Sequence, residues 1–271
     1  MKIKIVIISA NEIRHRFFRK KLSNFENIDV KLCLAEKNQT RQFYKIYKSK
    51  KYTSLEKKHF KKREVSEKKY FNKTLKKISE VPNLKIIDRG EFNHNKKIIN
   101  EINKIKPNLI VSFGCSLIKD PLLKKYKKKF LNIHLGLSPY YRGSATNFWP
   151  FVNNELQFVG VSFLRIDDGI DTGPIIHQIR PDFELGDTIH DVGNKLIIKM
   201  ADETQKVIKN FKNLKLYKQK KTKRDKVFFK KNFNQKAVKK LNLNFKRKIL
   251  KKYLLNKAKL EKKFPIIEQK I

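Results

Sequence analysis

The feature that most limits how this chain can fold is an alternation. Short β-branched runs, "IKIVIIS" (3–9), "DVKLCLA" (29–35), "LKIID" (84–88), "NLIVSFG" (108–114) and "FLNIH" (130–134), are separated by longer charged stretches of helical character. Continuously apolar strands belong between two covering layers, and strands separated by helices pair in parallel. The predicted fold class is α/β: a mostly parallel, Rossmann-like sheet with helices on both faces. "NEIRHRFFRKKL" (11–22) reads as a helix starting near Asn11, and "NKKIINEINKIK" (95–106) as one with Ile at helical spacing. Residues 36–80 are Lys-rich and helical in propensity, with Phe and Tyr side chains to dock them on the body. In such sheets ligands collect at the carboxyl ends of the strands. Gly114 and the pair Asn132 and His134 fall there.

Beyond residue 150 the pattern changes. "FVGVSFLRID" (158–167) and "PIIHQIRPDF" (174–183) read as strands joined by "DGIDTG" as a hairpin extension. The run 186–211 reads as one long helix with Asp187 as its N-cap. From about residue 212 the composition shifts to Lys, Asn and Phe. The expected division is a main domain over 1–211 and a small basic appendage over 212–271. The appendage is given a short strand near "KVFFKK" and one amphipathic helix around Val238, Leu241, Phe245 and Ile249.

The charge invites a nucleic-acid reading, since the formal net charge is +41 over 271 residues. Arg, however, supplies only 11 of the 66 basic residues. Phosphate and base recognition leans on Arg forks, whereas Lys, Asn, Ile and Phe spread along a whole chain are what an AT-rich genome produces. Codon drift is the favoured source of the charge, and a weak affinity for polyanions follows either way. Cys33 and Cys115 are isolated and lie in apolar runs, which fits buried reduced thiols and no metal site. The opening apolar run, about five residues, is too short for a signal-peptide core, and nothing approaches the roughly 20 apolar residues of a membrane span. A soluble, cytoplasmic protein is expected.

The candidate chemistry lies in two stretches. In "FLNIHLGLSPYYRGSATNFWP" (130–150), Asn132 and His134 project from one face of a strand because strand side chains alternate. In "RIDDGIDTGPII" (165–176), Asp167 and Asp171 sit among Gly169 and Gly173, which let the backbone turn sharply and approach a ligand. Either alone reads more simply as a strand end or an Asp-Gly turn. Together they form an ordered constellation: Asn-x-His, a Pro-Tyr-Tyr-Arg-Gly loop, then Asp-x-Gly-x-Asp-x-Gly.

That constellation resembles the folate-dependent formyltransferase family, which includes glycinamide ribonucleotide formyltransferase, the amino-terminal domain of methionyl-tRNA formyltransferase, and sugar N-formyltransferases. The likeness runs from about Pro107 to Ile176. Asn132-Ile-His134-Leu-Gly-Leu-Ser138-Pro139 stands where the family has Asn-x-His followed by Pro-Ser-Leu-Leu-Pro, and Tyr141-Arg142-Gly143 and Gly160 also fit. The resemblance makes 1–211 a formyltransferase catalytic domain. It implies Asn132, His134 and Asp171 as catalytic residues and 10-formyltetrahydrofolate as formyl donor. An oxyanion forms when an amine attacks the formyl carbon, and it needs preorganised donors: the Asn132 amide and a protonated His134, with Asp171 holding the imidazole and relaying a proton. The pterin cleft falls on Ser112, Phe113, Gly114, Leu117 and Ile118, and on Ile166, Asp167, Gly169 and Ile170. Asn11, Arg14, Ser138, Tyr141, Arg142 and Gly143 are the residues expected to meet the acceptor.

Departures from the family bear on that acceptor. "ISANEIRH" after the first strand lacks the glycines of the phosphate loop in glycinamide ribonucleotide formyltransferase, although Arg14 and His15 at a helix start could meet an anion. Leu135 replaces the Pro after His134, and the appendage is shorter than the carboxyl-terminal barrel that grips tRNA. By elimination the expected partners are folate and a small primary amine, a nucleotide-linked amino sugar first, with initiator tRNA second and a second copy of the chain left open. A non-catalytic polyanion binder on the same scaffold is the reading from another class. Intact Asn132, His134 and Asp171 argue against it.

Overall fold

The computed structural model describes residues 2–37 and 46–271. Its centre is a seven-stranded sheet in the order β3-β2-β1-β4-β5-β7-β8. β1 (Ile3–Ser9), β2 (Ile28–Glu36), β3 (Leu84–Ile87), β4 (Leu109–Phe113) and β5 (Phe130–His134) run parallel. β7 (Val161–Leu164) and β8 (Ile175–Ile179) add an antiparallel edge. The continuously apolar strands are buried as their composition requires; Ile5, Ile7, Ile110 and Val111 are fully enclosed. β7 is shorter than its apolar run because Leu156–Phe158 closes into a 3-10 turn before it.

On one face, α1 (Ile13–Ser23), α2 (Ser54–Lys77) and α6 (Ile189–Asn210) pack together over the larger core. On the other, α3 (Lys96–Ile105) and the short α4 (Leu122–Tyr126) cover Val6, Ile8, Leu32 and Ile110. α5 (Trp149–Asn153) follows the loop after β5. Part of the Lys-rich 36–80 stretch, residues 38–45, lies outside the described residues.

Two helix starts differ from the expectation. α6 is capped by Thr188, whose hydroxyl accepts from the Asp191 amide while Asp191 reaches back, a full capping box. Asp187 instead accepts from the Glu184 amide and pairs with Lys195 at 2.9 Å. α1 begins one residue after Glu12, with no side-chain cap, and Asn11 accepts from Arg19 Nη1 at 2.8 Å instead of capping.

The carboxyl-terminal residues hold two helices where one was expected. α7 (Gln235–Lys246) and α8 (Ile249–Lys263) are separated by Lys248 in the left-handed conformation, φ 58, so Ile249 belongs to the second helix. Val238, Leu241, Ile249 and Tyr253 join the same core as the β1–β5 sheet. A three-residue strand, β9 (Lys226–Phe228), pairs with β6 (Tyr141–Gly143) in the loop after β5, and Tyr217 bridges Ile175 on the edge strand β8. These segments cover a sheet edge that would otherwise present unpaired backbone. Among the described residues no helix is long and apolar enough to cross a membrane.

Candidate active site

The site is built where β5 ends. Strand alternation puts Asn132 and His134 on one face, and parallel register sets Ser112 of β4 beside Asn132. The Ser112 hydroxyl donates to Asn132 Oδ1 at 2.9 Å, while Asn132 Nδ2 donates to Asp171 Oδ1 at 3.3 Å. These two contacts fix which end of the amide is nitrogen and leave one N–H for a ligand. Asp171 Oδ2 lies 3.2 Å from His134 Nδ1 and accepts from the Gly143 amide at 3.0 Å. His134 Nε2 meets the Tyr141 carbonyl at 2.8 Å. A carbonyl only accepts, so Nε2 carries a proton there. The Nδ1 contact is then a hydrogen bond only when Nδ1 is protonated too, as in an imidazolium facing a carboxylate.

The backbone around this cluster is tightly specified. Asp171 sits at φ 52, a left-handed conformation costing a non-glycine residue about 1 kcal/mol. Asp167 stays inside the loop, accepting from the Gly169 amide at 3.1 Å and the Thr172 hydroxyl at 2.7 Å. Gly143, at φ 91, lies so close to the Phe228 carbonyl that a Cβ would fall 2.2 Å from it. A Cβ on Gly136 would lie 2.7 Å from His134 Nε2. Larger residues at either glycine would displace a strand or the imidazole.

The residues expected to cradle a pterin separate into two groups. Ser112, Phe113 and Ile118 are enclosed: Ser112 orients Asn132, Phe113 packs on the His15 and Phe18 rings, and Ile118 belongs to the smaller core with Ile166 against it. Leu117 and Ile170 keep large apolar side chains exposed, 47% and 40%, on loops that follow β4 and β7. Gly114 turns at φ 66 above His15. Exposed apolar side chains and a glycine turn beside the Asn132–Asp171 cluster fit a planar, partly apolar ring. A cavity of about 560 Å³ bordered by Tyr47, Lys57, Lys58, Lys61 and Lys62 involves none of these residues.

The residues expected at the acceptor are less uniform. Ser138 and Tyr141 are buried. The Ser138 backbone is clamped by the Ser162 hydroxyl at 2.9 Å and the Gln178 amide at 2.9 Å. The Tyr141 hydroxyl is bound by Glu155 and by Asn153, and burial followed by the Glu155 contact pushes its pKa up. Arg142 faces Asp225 at 3.8 Å. Arg14 is held between Glu12 and Glu67, and Asn11 by Arg19, so the turn after β1 gathers carboxylates beside its cations. His15, buried below Gly114, is shifted down by desolvation.

Sequence reasoning placed Ser112 in the pterin cleft without foreseeing that its hydroxyl orients Asn132, and it missed the space-making Gly136 and Gln219, which donates to the Asp171 and Gly173 carbonyls. Only Ser112 carried a usable signal, its place near the carboxyl end of the fourth apolar run; its register beside Asn132 belongs to the structure.

Cys33 is buried and Cys115 half-buried. Burial pushes Cys33 up to about 12 and raises Cys115 as well, with Glu36 adding to the shift. At pH 8 iodoacetamide should therefore modify both thiols roughly a hundredfold more slowly than free cysteine. Labelling of Cys115 at the free-thiol rate would contradict this environment.

A mostly parallel sheet thus gathers an amide, an imidazole and a carboxylate at the carboxyl end of its fifth strand. The formyl transferase family model matches residues 17–209, and the chain belongs to that family. Methionyl-tRNA formyltransferase of Finegoldia magna is 30% identical over 122 residues, 44% of this chain and 38% of that protein. The Geobacter sulfurreducens enzyme of the same name is 35% identical over 112 residues, 39% and 34% of the two chains. These matches thus span well under half of the relatives' length. WlaRD, a sugar 3N-formyl transferase solved in the presence of dTDP and 5-N-formyl-THF, is similar at 25% identity and a TM-score of 0.51, covering 86% of this chain and 72% of its own. Phosphoribosylglycinamide formyltransferase of Streptococcus pneumoniae, at 17% identity and a TM-score of 0.52, shares the fold.

Proposed function

We propose that the protein transfers a formyl group from 10-formyltetrahydrofolate to the primary amine of a nucleotide-linked amino sugar. The observation that carries the reading is the three-way contact of Asn132, His134 and Asp171, with His134 Nδ1 3.2 Å and Asn132 Nδ2 3.3 Å from the same carboxylate. The folate supplies an activated formyl carbon that an amine can attack. The remaining Asn132 N–H and the His134 Nε2–H, which must leave the Tyr141 carbonyl to do so, are the donors for negative charge developing on the formyl oxygen. Asp171 keeps the ring in place and takes part in moving the proton that the amine loses toward the nitrogen that departs. Ser112 keeps the amide nitrogen of Asn132 facing inward. The products are a formamide and tetrahydrofolate.

Two observations favour a sugar acceptor. The similarity to a sugar 3N-formyl transferase, 25% identical, is higher than that to the phosphoribosylglycinamide formyltransferase of Streptococcus pneumoniae, 17% identical. Arg14, the cation that could meet a small phosphate after β1, is occupied by Glu12 and Glu67. Initiator tRNA is the second reading, favoured by the curated relatives and the Lys-rich carboxyl-terminal residues. Tetrahydrofolate release should be followed with the donor and three acceptors: a dTDP-linked amino sugar, glycinamide ribonucleotide and methionyl initiator tRNA. The expected result is release with the sugar nucleotide. Release with tRNA alone, falling steeply with salt, would establish the second reading, and release with no amine would overturn both.

A further inference from the structure

The residues from Tyr217 to Phe228 lie across the loops that hold the site, and the chemistry above makes no use of them. Tyr217 exchanges backbone hydrogen bonds with Ile175 at 2.8 and 2.9 Å, anchoring the segment at the edge strand. Two residues on, the Gln219 side chain turns into the aspartate loop. Its Nε2 donates to the Asp171 carbonyl at 2.8 Å and to the Gly173 carbonyl at 2.7 Å. A primary amide nitrogen has two N–H bonds, and here each meets one main-chain acceptor on either side of Thr172. The loop's own hydrogen bonds, through Asp167 and from the Arg165 amide to the Pro174 carbonyl, leave those two carbonyls to Gln219 among the described residues.

We propose that Gln219 is a positioning residue. By tying down the carbonyls of Asp171 and Gly173 it holds Asp171 in its left-handed turn, and so aims the carboxylate at His134, Asn132 and the Gly143 amide. The inference rests on the role given to Asp171 under the proposed function. The segment does not depend on this amide for its own placement. The Lys226 amide donates to the Tyr140 carbonyl at 2.9 Å, and the Ser144 amide to the Phe228 carbonyl at 2.7 Å. Asp225 faces Arg142. Loss of the Gln219 amide therefore acts on the aspartate loop and leaves the β6–β9 pairing standing.

Two neighbouring amides separate these effects. The Gly143 N–H donates to Asp171 Oδ2, whereas the Ser144 N–H donates to Phe228, so the first reports the carboxylate and the second the segment. Gln219→Glu keeps the shape and removes both donors; Gln219→Ala removes the side chain. In the full chain of either variant, hydrogen exchange read by NMR should show Gly143 protection falling about tenfold or more while that of Ser144 is kept. Unchanged protection at Gly143, or equal loss at both amides, would overturn the proposal. This readout needs no acceptor, so it stands even if no amine is formylated. With any amine that the unaltered protein accepts, kcat should fall about tenfold with KM for the folate within about twofold. A raised KM with kcat unchanged would make Gln219 a wall of the cleft and overturn its positioning role.

Discussion

His134→Ala should lower kcat for formyl transfer by roughly three orders of magnitude, and Asp171→Asn by a comparable factor, with melting temperatures within a few degrees of the unaltered protein. Loss of one oxyanion donor costs on the order of 10²–10³ in kcat, and loss of a positioned proton-transfer group 10²–10⁴. In the proposed chemistry His134 is an oxyanion donor and also the ring that Asp171 holds, so its removal falls at the upper end of the first range. Asp171→Asn keeps the volume and one acceptor oxygen, but that oxygen must now serve either Asn132 or the Gly143 and His134 pair, which the carboxylate's Oδ1 and Oδ2 serve separately. The small effect expected on folding follows from location: both residues end a strand or sit in a loop, while the core is carried by enclosed side chains such as Ile5, Phe113 and Phe163. Either variant turning over at the unaltered rate with an accepted amine would remove that residue from the chemistry.

The second large effect is on stability in acid. His59 and His190 face each other with ring centroids 4.8 Å apart, and Phe148 and Phe233 pack against His59. Desolvation, with Lys62 adding, lowers His59 to about 4. Desolvation, then the His59 and Arg63 charges, lowers His190 to about 3, against smaller opposing effects of Glu67 and Asp191. Both folded-state values lie below the unfolded value near 6.5, so below that pH the unfolded chain binds protons that the native protein refuses. Stability is complete above about pH 6.5 and is lost as the pH falls toward 4. From pH 7 to pH 5 the two rings together cost roughly 3–4 kcal/mol. Urea unfolding at the two pH values should show this loss in the unaltered protein and a much smaller one in a His59→Phe, His190→Phe double variant. Equal losses in both proteins would place the acid sensitivity elsewhere.

The parts of this structure that were legible in the sequence are those set by local pattern. Buried strands announce themselves as apolar runs, and the period-two spacing of Asn132 and His134 settles that they share a face. The parts that were not legible depend on which distant residue comes to hand. β6 and β9 are three residues each and pair across more than 80 intervening positions, too short to carry periodicity of their own. Gln219 sits in a run of lysines with nothing to mark it, and its partners become visible only once residues 171–173 curl back toward it. Lys248 breaks an amphipathic run without a glycine or proline, so the divide between α7 and α8 has no sequence signal. At Asp187 and Thr188 both residues are good caps, and the choice between them was made by Asp191, three residues after the threonine.

In the proposed chemistry Asn132, His134 and Asp171 converge on the formyl carbon of a reduced folate. A crystal structure of the protein with 5-formyltetrahydrofolate, a stable relative of the donor, tests it most directly. The pteridine should lie between the loops carrying Leu117 and Ile170, with the formyl group within about 4 Å of Asn132 Nδ2 and the His134 ring. A folate bound elsewhere on the molecule, or seated there with its formyl group turned away from both side chains, would contradict it.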